Sequence, residues 1–380
     1  MSGYDRPFQA QQAHNLCENV STTRLDPVEP DPICWEQAAC AVCGSPRASF
    51  LVEVSDLVYD RQGRARIVRC DDCGHLYQNP RPTRDTISVC YTSDYGPHTH
   101  NLSPLPAAND LSAEPQKSRW YLSSVVRWIP GLKLLYHWLS AGSEAPVPSP
   151  PGKAAKALEI GCGSGGYLQR LLGEGWDVEG IEFADEPARR CRQLGFRVHT
   201  TGIEDVALPP NAYDLVVAWT VIEHLHDPGA VLRKMRDLLK PGGTMMISVP
   251  NIDSWELWAF GRYNFILNEP THLQHFSVDA ISRLLVSSGF EIESVDYQNN
   301  VYNIVGSVGL WLRNRFPKRQ LGNRLLHFCD NPSMWGRLAL APLAKSLAAI
   351  KQAGRITIIA RPIQSPQDAE TTESKTFVSS

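Results

Sequence analysis

The chain has 380 residues, 43% of them hydrophobic and 20% charged, with a formal net charge of −3. This composition excludes a disordered or membrane-spanning chain, and the length exceeds what one core of roughly 250 residues fills well, so two domains are expected. No excess of positive charge is available for a polyanion, so no nucleic-acid partner is expected.

The first residues lack the basic start and apolar run of a secretion signal, and no later segment has the apolar length of a bilayer span, so a cytoplasmic location is expected. In a reducing compartment the ten cysteines point to metal ligands and buried thiols rather than disulfides. Residues 1–35 are polar and without periodicity and read as a mobile tail.

Residues 36–95 form a cysteine-rich module. Cys40-Ala-Val-Cys43-Gly44 and Cys70-Asp-Asp-Cys73-Gly74 each place two thiols around a tight turn, and four sulfurs suit tetrahedral Zn2+. Between them F-L-V-E-V and R-A-R-I-V-R flank D-R-Q-G, a hairpin pattern that would hold the knuckles together. This is a zinc-ribbon signature with a structural metal, since four protein ligands leave no open position. Two disulfides or four free thiols are the alternatives, and His75 replacing one cysteine is a weaker arrangement. Cys17, Cys34, Cys90, Cys162, Cys191 and Cys329 have no paired spacing and read as ordinary thiols.

Residues 96–152 read as a linker with a helical segment at Arg119–Leu139, interrupted at Pro130-Gly131, and an extended proline-rich end at Ala145–Gly152. From 153 to 362 strand and helix patterns alternate, the mark of an α/β domain with a parallel sheet. Strands are expected at Ala157–Ile160, Asp177–Glu182, Tyr213–Trp219 and Thr244–Val249, with helices at Tyr167–Leu172 and Asp185–Leu194. A further helix carries Val231, Leu232, Met235, Leu238 and Leu239 on one face. Ser277 is placed to cap the helix bearing Ile281, Leu284 and Leu285, and E-I-E-S-V-D-Y and R-I-T-I-I-A read as the last strands. Residues 363–380 read as a disordered tail.

Where the first strand meets the first helix, the sequence runs Glu159-Ile-Gly161-Cys162-Gly163-Ser-Gly165-Gly. The glycines alone also satisfy a dinucleotide fingerprint, with Glu182 ending the second strand as the ribose-binding acid. Glu159 discriminates, because a carboxylate beside the loop opposes a pyrophosphate but favours a ligand bringing a sulfonium and an ammonium.

At this point the chain resembles the class I S-adenosylmethionine-dependent methyltransferases, whose first motif E/D-x-G-x-G-x-G is matched by Glu159, Gly161, Gly163 and Gly165. The segments Ala212–Pro228 and Leu239–Asn251 are similar to the family's fourth and fifth strands with their loops. The resemblance implies a Rossmann-like sheet with helices on both faces and S-adenosyl-L-methionine as cofactor. It assigns Glu182 to the ribose hydroxyls, Ile203 to the adenine face and Glu204 or Asp205 to a polar contact there, and it counts Cys162 and Trp219 with the cofactor site. C-x-x-C-G-H-L-Y-Q-N-P-R-P followed by C-Y-T-S-D-Y is similar to bacterial methyltransferases of sugar and secondary-metabolite pathways. Those implied acceptors are small molecules or glycans, methylated on oxygen or carbon.

Methyl transfer requires a base close to the cofactor. Glu223, His224 and His226, after the fourth strand, and His272 and His275, just before the capped helix, are the candidates, with His272 first; the alternative for each histidine is a hydrogen-bonded structural role. Trp255, Trp258, Phe260, Tyr263 and Phe265 read either as an aromatic lid or as a small core. The insertion at 301–354 mixes aromatic and basic residues, which suits a helical cap or dimer face and, alternatively, peripheral contact with an anionic membrane. Two rival functions are a catalytically silent scaffold and a nicotinamide-dependent oxidoreductase.

Overall fold

The structure, a computed structural model, describes residues 33–58, 65–91, 145–268, 270–330 and 332–363. The expected tails, except Ile33–Trp35 and Ile363, the D-R-Q-G turn and the helical segment 119–139 lie outside the described residues.

The N-terminal part contains β1 (Trp35–Glu36), β2 (Ala48–Val54), β3 (Ala65–Cys70), β4 (Leu76–Gln78) and β5 (Arg81–Pro82). Strands β2, β3 and β4 form an antiparallel meander, Ala48 opposite Cys70 and Val68 opposite Tyr77, so the expected pairing of the two runs is present.

The larger part contains β6 (Lys156–Ile160), α1 (Gly166–Gly173), β7 (Asp177–Glu182), α2 (Asp185–Gln193), β8 (Arg197–Thr200) and β9 (Tyr213–Trp219). It continues with α3 (Pro228–Leu238), β10 (Leu239–Pro250), α4 (Glu256–Phe260), β11 (Gln274–His275), α5 (Val278–Ser287), β12 (Phe290–Tyr297), α6 (Tyr302–Arg315), α7 (Leu321–Asp330), α8 (Met334–Ala349) and β13 (Arg355–Pro362). Seven strands form one sheet in the order β12-β13-β10-β9-β6-β7-β8. Six run in one direction, and β13 alone, antiparallel to both its neighbours β10 and β12, runs the other way.

Strand alternation sends side chains to two cores, as the two-residue period requires. Leu158, Ile160, Val216, Ala218, Met245 and Ile247 face one core with Val231, Leu232 and Met235 of α3 and Ile281 and Leu284 of α5. Ala157, Leu215, Val217 and Met246 face the other with Leu168 and Leu171 of α1 and Cys191 of α2. Helices therefore cover both faces. Ser277 caps α5 by accepting from the Ala280 N–H at 3.0 Å, and Asp227 caps α3 by accepting from Ala230 at 2.8 Å.

The structure departs from the sequence expectation in four places. Strand β8 was not expected; it adds to the sheet edge through four pairings with β7. Helix α3 stops at Leu238, one residue early, and β10 starts at Leu239, with its register broken between Leu239 and Thr244 where Pro241-Gly242-Gly243 lie. Ala145–Gly152 is not a free spacer: Pro146 and Pro148 carbonyls accept from the Tyr167 hydroxyl at 2.6 Å and the Trp176 indole at 2.8 Å. Finally, β11 pairs with β4, Gln274 opposite Tyr77 and His275 opposite Leu76, so a strand from the larger part completes the cysteine-rich module's sheet. Across this seam His75 Nε2 and Gln274 Oε1 are 3.0 Å apart, the His75 ring stacks on Phe276 at 5.1 Å, and Arg283 donates to the Cys73 carbonyl at 2.9 Å.

Candidate active site and metal centres

The four knuckle cysteines come together as expected. Cys40 and Cys73 sulfurs are 3.4 Å apart, Cys43 and Cys70 sulfurs 3.5 Å, and all four lie within 4.8 Å of one another. A disulfide needs about 2 Å, whereas sulfurs on one tetrahedral zinc are about 3.8 Å apart for bonds of about 2.3 Å, so the spacing fits the metal. The two knuckles are built alike: Gly44 N–H donates to Cys40 O at 2.8 Å and Gly74 N–H to Cys70 O at 2.9 Å, with φ of 76° and 77° at the two glycines. Burial raises the Cys40 and Cys73 thiols, whereas at Cys70 burial is outweighed by the N–H groups of Cys73 and Asp72 together with the Cys43 and Cys73 side chains, which bring that thiol down to about 7. His75 does not belong to this cluster, being used at the seam with Gln274.

At the carboxyl edge of the seven-stranded sheet, β6 runs into the glycine turn. Gly161 has φ of 68°, and a Cβ there would sit 2.6 Å from Cγ2 of Val221, so only glycine fits this backbone. Glu182, ending β7, accepts from Gly163 N–H at 2.8 Å and Ala184 N–H at 2.9 Å. Glu159 is buried, and its Oε2 has no hydrogen-bond partner among the described residues. Burial pushes the Glu159 carboxyl well up, with Cys191 and Glu182 adding to the effect against the Leu168 N–H, and burial also raises Glu182. Two buried carboxyls flank one glycine turn, a surrounding that opposes an anion and whose desolvation a cation relieves.

The remaining cofactor candidates are distributed around this turn. Cys162 is buried in the same core as Cys191. Trp219 ends β9 and stands edge-on to Tyr167 at 5.0 Å. Ile203 is 3% exposed, inside the core with Ile160 and Ile222. Glu204 and Asp205 pair with Arg84 at 3.7 and 3.0 Å, a link to the cysteine-rich module.

After β9 the chain turns at Thr220, φ 54°, into a 3-10 turn at Ile222–His224. His224 Nδ1–H donates to the Thr271 carbonyl at 2.9 Å and lies 3.1 Å from the Tyr91 hydroxyl. His272 Nδ1–H donates to the Ile266 carbonyl at 2.7 Å. The two imidazoles stand perpendicular, centroids 4.6 Å apart. Burial lowers both, His224 to about 4, and His224 and His275 add to the lowering of His272. His275 is placed differently, on β11 at the seam, buried and lowered to about 3 chiefly by burial. The structure thus brings His224 and His272 together and leaves His275 on the strand that joins the two parts.

Residues 137–295, which hold β6 to β10, match the family model described as a methyltransferase domain. That segment is a methyltransferase domain. It is 34% identical over 106 residues to ubiquinone biosynthesis O-methyltransferase of Xanthomonas campestris pv. campestris (strain B100), covering 26% of this chain and 44% of that one. The enzyme of the same name from Cereibacter sphaeroides (strain ATCC 17025 / ATH 2.4.3) is 36% identical over 107 residues, 27% and 43% of the two chains. The chain therefore spans less than half the length of these curated relatives. Among solved structures, an S-adenosylmethionine dependent methyltransferase from Mesorhizobium loti aligns with 60% of this chain and 97% of its own, at 17% identity and a TM-score of 0.39.

The methyltransferase domain receives two residues at its carboxyl edge, Tyr91 and Arg81, that sequence reasoning did not select as site residues. Tyr91 reaches His224 and packs edge-on against Phe183 at 4.9 Å. Arg81 donates to the His226 carbonyl at 2.8 Å, and the His226 ring returns a contact of 2.9 Å to Pro82 O. Glu223 is fully buried with neither oxygen hydrogen-bonded among the described residues. The aromatic run also divides: Trp258 is 89% exposed, whereas Phe265 is held by α6, its N–H donating to Ser307 at 2.9 Å.

Proposed function

We propose that the protein transfers a methyl group from S-adenosylmethionine to an oxygen or carbon of a small-molecule or glycan acceptor at the carboxyl edge of the methyltransferase sheet. The observation that carries this reading is the pair of buried carboxyls, Glu159 and Glu182, around the Gly161–Gly165 turn. They suit a cationic amino-acid moiety and oppose the pyrophosphate of a nicotinamide cofactor. When bound, S-adenosylmethionine supplies an electrophilic methyl on a sulfonium centre.

On this reading Glu182, held by one backbone donor on each oxygen, offers its remaining acceptor capacity to the ribose hydroxyls, and Glu159 takes the ammonium side. Gly161, Gly163 and Gly165, with Cys162, shape the loop, while Ile203, Glu204 and Trp219 border the adenosine. Proton removal from the acceptor falls to the His272–His224 pair, whose Nδ1–H groups are anchored to carbonyls so that Nε2 keeps its lone pair. Both are neutral across the physiological range because burial lowers them. His275 serves the seam instead. The relatives named for ubiquinone biosynthesis favour an oxygen acceptor by analogy. The four-cysteine cluster holds one structural Zn2+ on this reading.

S-adenosylhomocysteine is expected to raise the melting temperature and NADH to leave it unchanged, because only a ligand of the folded state stabilises it. Stabilisation by NADH alone would overturn the reading. If neither ligand stabilises, the silent scaffold gains. A methylated product found by mass spectrometry after incubation with donor and a metabolite extract would identify the acceptor.

The helices α6 to α8 are the proposed contact with a membrane carrying the acceptor. No helix among the described residues is long and apolar enough to cross a membrane, but Trp311, Phe316, Leu321 and Trp335 are exposed, and Arg315 and Arg319 lie over the Phe316 ring at 5.2 and 5.7 Å. This aromatic and basic mixture suits the interface of an anionic bilayer. Liposomes with anionic lipid are expected to co-sediment the protein at low salt and release it at high salt. Equal binding after Arg313, Arg315, Lys318 and Arg319 are all changed to Gln rejects the membrane contact.

A further inference from the structure

Gln78, the last residue of β4, is fully buried, and neither Oε1 nor Nε2 has a hydrogen-bond partner among the described residues. The strand pairing gives the direction of its amide. Tyr77 and Gln274, opposite each other, lie on the knuckle side, where Tyr77 shares a core with Cys40 and Cys70 and Gln274 meets His75. Strand alternation puts Leu76, His275 and Gln78 on the other side, with Ile67 directly opposite Gln78. That side packs on the methyltransferase domain, Ile67 and Leu76 meeting Ile252 and Leu267. Among such apolar neighbours an unpaired amide is unfavourable, and a residue that breaks the local pattern without a structural gain marks a functional position.

The backbone places Gln78 next to the proposed base. Gln78 N–H donates to the Leu273 carbonyl at 3.0 Å, and Leu273 N–H donates to the Glu223 carbonyl at 2.9 Å. One residue, the neighbour of His272, therefore joins β4 to the turn that carries Glu223 and His224. Leu267, which packs on the Gln78 side of the module, follows Ile266, whose carbonyl anchors His272. A Glu223 carboxyl oxygen lies within 4.8 Å of a ring nitrogen of each histidine, and this carboxyl is also buried and unpartnered among the described residues. Unpaired polar groups thus stand on both sides of the seam, with Leu273 between them.

We propose that Gln78 selects the acceptor, its amide binding two oxygens on adjacent carbons, as in a vicinal diol. An amide offers a donor and an acceptor side by side, and such an oxygen pair offers the complement. One hydroxyl gives its proton to the histidine pair and attacks the methyl carbon while accepting from Gln78 Nε2; its neighbour donates to Oε1. The carbon–sulfur bond breaks with its electron pair going to sulfur, which leaves as a neutral thioether. The amide has no exposed surface with the two parts closed, so the acceptor enters by parting β4 from the loop around Leu267. The cysteine-rich module then supplies specificity in addition to support. This rests on the methyltransferase reading above.

The test compares the full chain with Gln78→Met, which fills a similar volume without the amide. Each is incubated with isotope-labelled S-adenosylmethionine and a metabolite extract, and the wild type is expected to label a product on one of two adjacent oxygens. Gln78→Met is expected to lower that labelling by about 100-fold, two hydrogen bonds being lost at about tenfold each. Gln78→Glu keeps an acceptor oxygen and is expected to lose less. In Gln78→Met the affinity for S-adenosylhomocysteine is expected to be unchanged, and the melting temperature to equal or exceed that of the wild type, because the unpaired amide is gone. The proposal is overturned if Gln78→Met labels as the wild type does, if it melts lower, which would make the amide a structural partner, or if the product lacks adjacent oxygens. A wild type that labels nothing would instead end the methyltransferase reading, and this proposal with it.

Discussion

Changing Cys70 to Ser, or removing the metal with a chelator, is expected to unfold the cysteine-rich module and to loosen part of the methyltransferase domain with it. Structural zinc in small modules contributes about 10–16 kcal/mol of binding free energy, as much as the whole stability of an ordinary domain. The hydrophobic support around the knuckles is small, Cys40, Val68, Cys70 and Tyr77 forming its buried cluster, while Val54, Ala65 and Ile67 pack away from the knuckles with Ile252 and Leu267, so the proposed zinc is the main support of the knuckles. The consequence reaches further because β11 is the fourth strand of the module's sheet and Tyr91 braces His224. Hydrogen exchange should therefore lose protection over 33–58 and 65–91, and also at Gln274–His275 and 222–226, while β6 to β10 stay protected. Exchange at Gln274–His275 that stays slow after the module has unfolded would show that the seam is not structural. A module that survives chelation would refute the metal's role outright.

The second large effect is expected at Glu182. Its carboxylate accepts two backbone N–H groups, from Gly163 in the glycine turn and from Ala184 at the start of α2. In Glu182→Ala both donors lose a charged acceptor, and the ribose hydroxyls lose theirs. Hydrogen bonds to a charged group contribute about 1.5–3 kcal/mol, which corresponds to S-adenosylhomocysteine binding weaker by roughly 10- to 150-fold at about 1.4 kcal/mol per tenfold. Glu182→Gln keeps an acceptor oxygen and should lose less. Calorimetric dissociation constants for the three proteins decide it: equal values would move the ribose contact to another residue.

How legible this was in the sequence depended on whether the signal was local. The glycine turn, the acid ending β7, the Ser277 cap and the amphipathic face of α3 are patterns within ten residues, and each is where the periodicity and capping rules put it. The cysteine pairs were legible because their spacing is duplicated. Strand β8 was missed because it is four residues long and half-exposed, held to β7 by pairings such as Glu179 with Arg197 and not by an apolar run. The seam through β11 was invisible for a different reason: Gln274 and His275 have no strand signature, and their partners Tyr77 and Leu76 are nearly two hundred residues away. Glu223 was legible beside His224, but its nearness to His272, 49 positions distant, is made only by the fold. The histidine pair was found by residue type, but the contrast between His272 and His275 needed the backbone carbonyl of Ile266 to be in place.

The position of β13 has a consequence for how the protein is made. By the time residue 250 has been synthesised, β6 to β10 have every parallel neighbour they will ever have, and this half already contains the glycine turn. Yet β10 then ends in an open edge, Met245 to Pro250, whose partners run from Ala360 back to Arg355 and are made more than a hundred residues later. Bacterial or eukaryotic ribosomes add roughly 5–20 residues per second, so that edge waits for several seconds at least. During the wait α6 to α8 are produced, between β12 and β13, before the strand that they precede can insert between β10 and β12. The sheet thus closes from the middle and last of all, and the apolar edge of a nascent chain is exposed to pairing with other chains for as long as β13 is missing. Slow translation across 302–349 would lengthen that exposure, and a chaperone that shields strand edges would be needed most there.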